Sequence, residues 1–231
     1  MASKKMGFKE QFQEEILKKL SLRRLLIYCT GLFLIAIGIS ISARSSLGVS
    51  PVNSIPYTVS LISGLEQGLC TTGFFIILIF IQFILSPKDF SLFSFLQIIC
   101  SFIFGWFVTL ANLCTFFIPR PEHYPVQILY IIISLFFVAL GVYLYVNSDF
   151  LPLPSEGVML VLSRKTNIAF HICKIIFDCS VVAGAAVISL LTTGTLLGVR
   201  EGTILAAVFV GIIIKPISKC LTKWLKAFLA N

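Results

Sequence analysis

Six apolar runs constrain this chain more than any other feature. They fall at about 25–42, 69–85, 93–117, 126–146, 168–191 and 203–219. Each approaches the roughly 20 residues that a helix needs to cross a bilayer. Lipid offers nothing for an open backbone to bond with, so runs of this kind span as helices. Hydrophobic residues make up 58% of the 231 and charged ones 12%, too little polar surface to cover a water-soluble domain of this size. The sequence therefore predicts an all-α membrane protein of about six transmembrane helices. Its membrane domain covers 25–220, between a segment 1–24 and a basic tail 221–231.

The net charge of +8 does not indicate nucleic acid, because the basic residues form no aromatic-interleaved groove. They follow the spans instead. With the N-terminus cytoplasmic, fifteen Lys and Arg fall inside, and Arg44, Arg120 and Arg200 fall outside. That asymmetry predicts a multi-pass plasma-membrane protein with both termini in the cytoplasm. Phe8, Phe12, Ile16 and Leu20 recur at every fourth position among Lys and Glu, which predicts an amphipathic helix on the membrane surface rather than a cleaved signal. The seven cysteines are scattered and form no C-x-x-C pair, so they read as small buried apolar residues. No metal or other cofactor is indicated, and nothing sets an oligomeric state.

Two polar, breakable stretches interrupt this apolar chain. SSLGVSPVNSIPYTVS (45–60) follows the first run, and DFLPLPSEGVMLVLS (149–163) follows the fourth. Proline suits the first turn of a helix, because it lacks an N–H and its φ is fixed. About a dozen helix-compatible residues follow Pro51 and Pro154, roughly 18 Å at 1.5 Å per residue, or half a membrane. The stretches are thus read as re-entrant half-helices whose N-termini meet near the bilayer centre, with short interfacial helices as the alternative. Pro56 is expected to kink the first of them in its second turn.

Free N–H groups at such N-termini suit an anionic or carbonyl-bearing ligand. Ser50, Asn53, Ser54 and Ser155 would add hydroxyl and amide partners around Pro51 and Pro154. Glu156 could cap its helix, bind a cationic group or take up a coupling proton.

The two stretches also align with each other. A shift of 103 residues pairs Leu32–Phe33 with Leu135–Phe136, Ala36 with Ala139, Gly38 with Gly141, and Ser45 with Ser148. It also pairs Pro51 with Pro154 and Ser60 with Ser163, and after a gap Gly105–Trp106 comes opposite Gly211–Ile212. Each half, about 25–117 and 126–219, then holds three spans and one broken segment. Three is odd, so the second half sits inverted relative to the first. Interrupted segments at matching places in inverted repeats point to a transporter's binding site.

The fifth run carries His171, Lys174 and Asp178 at i, i+3 and i+7, on one helix face. An unpaired charge at this depth costs at least about 2.5–3.5 kcal/mol, so Asp178 is expected to pair with Lys174 one turn away. The face is either a structural ion pair or the wall of a polar pathway, with Asp178 protonatable and His171 near the cytoplasmic mouth. Gln82, Gln97 and Asn112 read as glue between helices. Lys215–Pro216 is expected to interrupt the far end of the last span.

These residues together resemble the YczE/YyaS/YitT-type family of bacterial integral membrane proteins. The likeness runs through the glycine-rich first span, ARSSLGVSPVNSIPYTVS, GLEQGLCTTG, Asp178 and REGTILAAVFVGIIIKPI, over most of residues 23–220. Many members carry Trp after the first proline, where this chain has Val52. The resemblance implies a transporter or exporter in the membrane.

The reading reached is a secondary transporter of a small polar solute. Solute would lie against Ser50, Asn53 and Ser155, with Glu156 and Asp178 handling a proton or cation. Two alternatives stand beside it: a substrate-binding membrane subunit of a multi-component importer, and a non-transporting accessory membrane protein. An enzyme is not expected, since there is no H-E-x-x-H, G-x-S-x-G or phosphate loop. The topology is directly testable. Alkaline phosphatase fused after Arg120 should be active in cells and the same enzyme fused after Asn231 inactive, whereas the opposite pattern would reverse the orientation.

Overall fold

The computed structural model describes residues 21–87 and 92–230. The amphipathic helix expected over the first twenty residues lies outside the described residues. Among the described residues the chain forms eight α-helices and one 3-10 turn. These are α1 (Leu22–Ser45), the turn Pro51–Asn53, α2 (Ser54–Ser63), α3 (Gln67–Leu85), α4 (Leu92–Cys114), α5 (Tyr124–Asn147), α6 (Pro154–Thr166), α7 (Phe170–Thr193) and α8 (Glu201–Ala230). Six of them, α1, α3, α4, α5, α7 and α8, are long and apolar enough to cross a membrane. The shortest, α3, has 19 residues and so spans about 28 Å, close to the ~30 Å hydrocarbon thickness.

The distribution of side chains is that of a multi-pass membrane protein. Ile99, Phe102, Trp106 and Leu113 form one exposed face of α4, and Ile77, Phe80 and Ile84 do the same on α3. Ser40, Ser42, Thr58, Thr71 and Gln82 are buried. Apolar outside and polar inside is stable only where the solvent is lipid. The buried polar groups also tie helices together. Ser40 donates from α1 to Asn112 Oδ1 on α4 (2.6 Å), and Asn112 Nδ2 donates to Gln67 Oε1 on α3 (3.2 Å).

At the centre α1 and α5 run antiparallel at very close range. A Cβ on Gly31 would stand 2.8 Å from Gly141 O, one on Gly141 would stand 2.5 Å from Gly31 O, and one on Gly38 would stand 2.9 Å from Ser134 O. Small residues at such positions let backbones approach until dispersion and weak polar contacts hold the pair, which matters where lipid removes the hydrophobic drive. On one side α3 and α4 pack against each other just as closely, Gly68 facing Gly105 and Thr109. Around this frame, α2 lies against α3 and α7, while α6 lies against α3 and α7 from its own side.

Three sequence expectations change. Pro56 does not kink its helix, because α2 begins only at Ser54, so Pro56 falls in the first turn, where an N–H has no intrahelical acceptor to lose. Pro216 does not end the last helix, and α8 continues through it to Ala230. Packing offsets the missing bond: Ile217 and Leu225 are buried beside Ile27 and Tyr143, and Tyr143 and Thr222 share a 2.9 Å hydrogen bond. Of the cysteines, Cys100 and Cys173 are buried, but Cys114, Cys179 and Cys220 lie on exposed faces, where lipid accepts a small apolar side chain as readily as the core does.

The glycine contact yields a test. Gly31→Val and Gly141→Val should each force α1 and α5 apart and lower stability by at least about 1–3 kcal/mol. Gly73→Ala, where an added Cβ meets nothing within 4 Å, should leave the melting temperature in detergent unchanged or slightly higher.

Candidate functional site

A backbone that leaves the helix inside an apolar slab must find partners for the groups it exposes. Both broken segments do. In the first, Leu47 O accepts the N–H of Gly202 at the start of α8 (2.8 Å) and Gly48 O accepts the Ser42 hydroxyl (2.8 Å). Ser46 O accepts Arg200 Nη1 (3.1 Å). Gly48 holds φ at 94° and lies so close to Thr203 and the Arg200 backbone that a side chain has no room.

In the second segment, Gln97 Nε2 donates to Pro152 O (3.1 Å) and Gln82 Nε2 to Pro154 O (3.0 Å). Gly157 lets the Gln82 amide lie directly against α6. Arg24 holds the entry, donating to Ser148 O and to the Asp149 carboxylate, both at 3.3 Å. The two glutamines, legible in the sequence only as glue between helices, are anchors for a broken loop.

These anchors also locate the second tip. Gln82 is three residues and Gln97 five residues from the nearer ends of their helices, so the tip enters the bundle by roughly 5–8 Å. The expectation that it reaches the centre is corrected accordingly. The two tips nonetheless face one shared cavity of about 250 Å³. Ser50, Pro51 and Asn53 line it from the first segment, Ser155 and Glu156 from the second, and Lys174 and Asp178 from α7. The remaining wall is mostly apolar and includes Ile35 of α1, Phe75 of α3, Phe104 of α4, Val142 of α5 and Val210 of α8.

Three expected residues do not line it. Ser54 is buried, with its hydroxyl turned back to Ser50 O (3.4 Å). Pro154 is buried behind Ser155 in the chain, its carbonyl taken by Gln82. His171 is exposed on α7, although it shares a helical register with Lys174 and Asp178.

The backbone donors at the tips are also less free than the sequence implies. Asn53 N–H donates to Ser50 O (2.9 Å), Ser54 N–H to Pro51 O, and Gly157 N–H to Leu153 O (2.9 Å). Each chain enters its helix through a tight turn, which folds the first-turn donors back on the residues just before them. The helix dipole that remains is worth about 0.3–1 kcal/mol, at most ~2. Burying an uncompensated charge costs several kcal/mol. Side-chain charges therefore dominate the electrostatics of the cavity.

Those charges are Glu156, Lys174 and Asp178. Glu156 sits in the first turn of α6 without making a side-chain cap. Its carboxylate accepts the hydroxyl of Tyr145, and that same hydroxyl accepts the N–H of Leu153 (3.4 Å). Tyr145 is the member of the site that sequence reasoning missed. It lies in an aromatic stretch of α5 with no polar pattern, and only the return of the chain after Asp149 brings it to Glu156. On α7, Lys174 Nζ pairs with Asp178 Oδ2 at 2.9 Å, as the i, i+4 spacing predicts. The Lys174 side chain is half exposed and Asp178 mostly buried, with its Oδ1 lacking a partner. Asn53 is 6% exposed; its Nδ2 donates to Ser50 Oγ (2.9 Å) and its Oδ1 has no partner.

The wall is uneven. α3 and α4 close one side through Gly68, Thr72 and Gly105, whereas α7 and α8 scarcely touch. Gly211 of α8 lies on the cavity wall with nothing within 4 Å of where a Cβ would stand. The cavity is thus less enclosed between Lys174 and Asp178 on one helix and Ala207 to Ile214 on the other.

Residues 22–219 match the family described as a family of unknown function, DUF6198, and the chain belongs to it. No curated protein and no solved structure matches the chain.

The anchoring role of Gln82 can be measured. Gln82→Leu leaves Pro154 O buried without a donor and should cost about 1–3 kcal/mol, read as a lower melting temperature in detergent. Thr192→Val, which loses only hydrogen bonds to carbonyls of its own helix, should change little.

Proposed function

We propose that the chain is a secondary transporter of a small polar solute, with its binding site in the cavity between the two broken segments. The observation that carries this is the convergence of two interrupted, proline-started segments, far apart in sequence, on one cavity that also holds three charged side chains. Transporter sites are built this way where two repeats meet. The resemblance to YczE/YyaS/YitT-type proteins supports the same reading. In it the protein lies in the plasma membrane with both termini cytoplasmic, and Glu156 and Asp178 handle a coupling proton or cation.

Contacts support the inverted repeat. A shift of 103 residues turns Gly31 into Ser134, and the reverse shift turns Gly141 into Gly38. The contact between Gly31 and Gly141 thereby becomes the contact between Ser134 and Gly38, which is also present. The same exchange relates α2 against α7 to α6 against α3, and α1 against α4 to α5 against α8. Such exchange is what a pseudo-two-fold axis crossing the α1–α5 pair produces.

The exchange fails most plainly at one pair of helices, which supports a moving part. The counterpart of the close α3–α4 pair is α7 and α8, which stand apart. Gly105 is covered by Thr72 and Gly68, while Gly211, aligned with it, is open. In an alternating-access cycle α7 would move onto Gly211 as the α3–α4 side loosens, carrying Lys174 and Asp178 with it.

The test is flux in proteoliposomes. Purified protein should give saturable uptake or efflux for some class of small solute, accelerated by a pH gradient. Glu156→Gln should remove the gradient-driven part while the protein retains its melting temperature. No flux across a broad solute panel, from protein that melts normally, would overturn the proposal.

A further inference from the structure

We infer that the cavity selects an organic ammonium ion, a primary or secondary amine in its protonated form on a compact apolar body. The inference rests on the cavity being the solute site and names the class of solute it takes.

Formal charge sets the sign. Two carboxylates, Glu156 and Asp178, face one ammonium, Lys174, among the residues lining the cavity, so one negative charge is left over. No other Asp, Glu, Lys, Arg or His among the described residues lines it. The arginines near the broken segments are engaged at the ends of the bundle: Arg24 with Asp149 and Arg200 with Ser46 O and Glu201. A monovalent cation restores neutrality, whereas an anion would deepen the imbalance.

Hydrogen-bonding capacity narrows the cation to one that carries N–H groups. Among the lining side chains, the buried polar atoms without a partner are Asn53 Oδ1 and Asp178 Oδ1, and both accept. Asn53 is more than nine-tenths buried, and its amide nitrogen is already used on Ser50. A buried acceptor left empty is costly, and an ammonium carries two or three donors to fill such positions. A quaternary ammonium carries none.

The wall describes the rest of the molecule. Phe75 and Phe104 stack at 5.5 Å between centroids, and both face the cavity beside Ile35, Val142 and Met159. Aromatic faces attract a cation as well as its apolar substituents. The poorly closed side between α7 and α8 adds Ala207, Val210 and Ile214 to this surface. A strongly hydrated inorganic ion would gain nothing from such walls.

Equilibrium binding to the full chain in nanodiscs, by calorimetry, tests this with three ligands of one shape. These are cyclohexylmethylammonium, its N,N,N-trimethyl analogue and cyclohexylacetate. The primary ammonium should bind, the trimethyl analogue at least about fivefold more weakly, and the carboxylate not measurably. Glu156→Gln should weaken the ammonium by about tenfold or more, the loss of one charge-assisted contact. Asn53→Ala should weaken it severalfold and Asn53→Asp restore it, with native melting temperatures confirming that each variant folds.

Equal or tighter binding of the carboxylate, wild-type affinity in both Glu156→Gln and Asn53→Ala, or no binding of any of the three would overturn the inference. Its failure is separable from failure of the transport reading. Ammonium binding without flux in proteoliposomes would leave the inference standing and remove transport. Flux of anions or neutral solutes with no ammonium binding would do the reverse.

Discussion

Satisfaction of buried backbone carbonyls is the constraint on which the molecule turns. A chain this apolar can break its helices inside the bundle only where other groups replace the missing i→i−4 bonds. Leu47, Gly48, Pro152 and Pro154 expose carbonyls at such breaks, and Gly202, Ser42, Gln97 and Gln82 bond them. Each partner comes from a different long helix, so the bonds that satisfy the breaks also fix their positions relative to the frame. Without them the same segments would be expelled to the interface.

The frame is set by the α1–α5 approach. Gly31, Gly38 and Gly141 bring two backbones within reach of each other. That arrangement leaves a central space bordered by the two broken segments. Tyr145 meets Glu156 there, and Asn53 lies on the wall of the same space. The polar groups there are few and specific, while the surrounding wall is apolar. A small number of placed polar groups in an apolar pocket is the usual makeup of a small-molecule site.

Much of this was legible in the sequence, and the reasons differ by element. The six long helices follow from run length alone, since the bilayer sets a threshold that local context seldom alters. The breaks at Pro51 and Pro154 follow from proline chemistry, and the pairing of Lys174 with Asp178 follows from helical spacing. What was illegible depends on contacts between distant residues. Pro56 read as a kink because the 3-10 turn ahead of α2, which shifts the helix start to Ser54, leaves no local mark. Gln82 and Gln97 read as interhelical glue because their acceptors, Pro154 O and Pro152 O, are some 55 to 72 residues away in the chain. The occupied N–H groups at the tips and the role of Tyr145 likewise appear only once the loops are folded.

That the two broken segments face each other across one cavity is tested most directly by a cross-link between them in native membranes. A cysteine-free chain would carry cysteines at Val52 and Ser155 and a protease site between Ile118 and His123, and would be treated with a short bis-maleimide before cleavage. The two halves should stay joined on a denaturing gel, and either cysteine alone should not join them. Separation of the halves, with both cysteines shown to react singly, would contradict it.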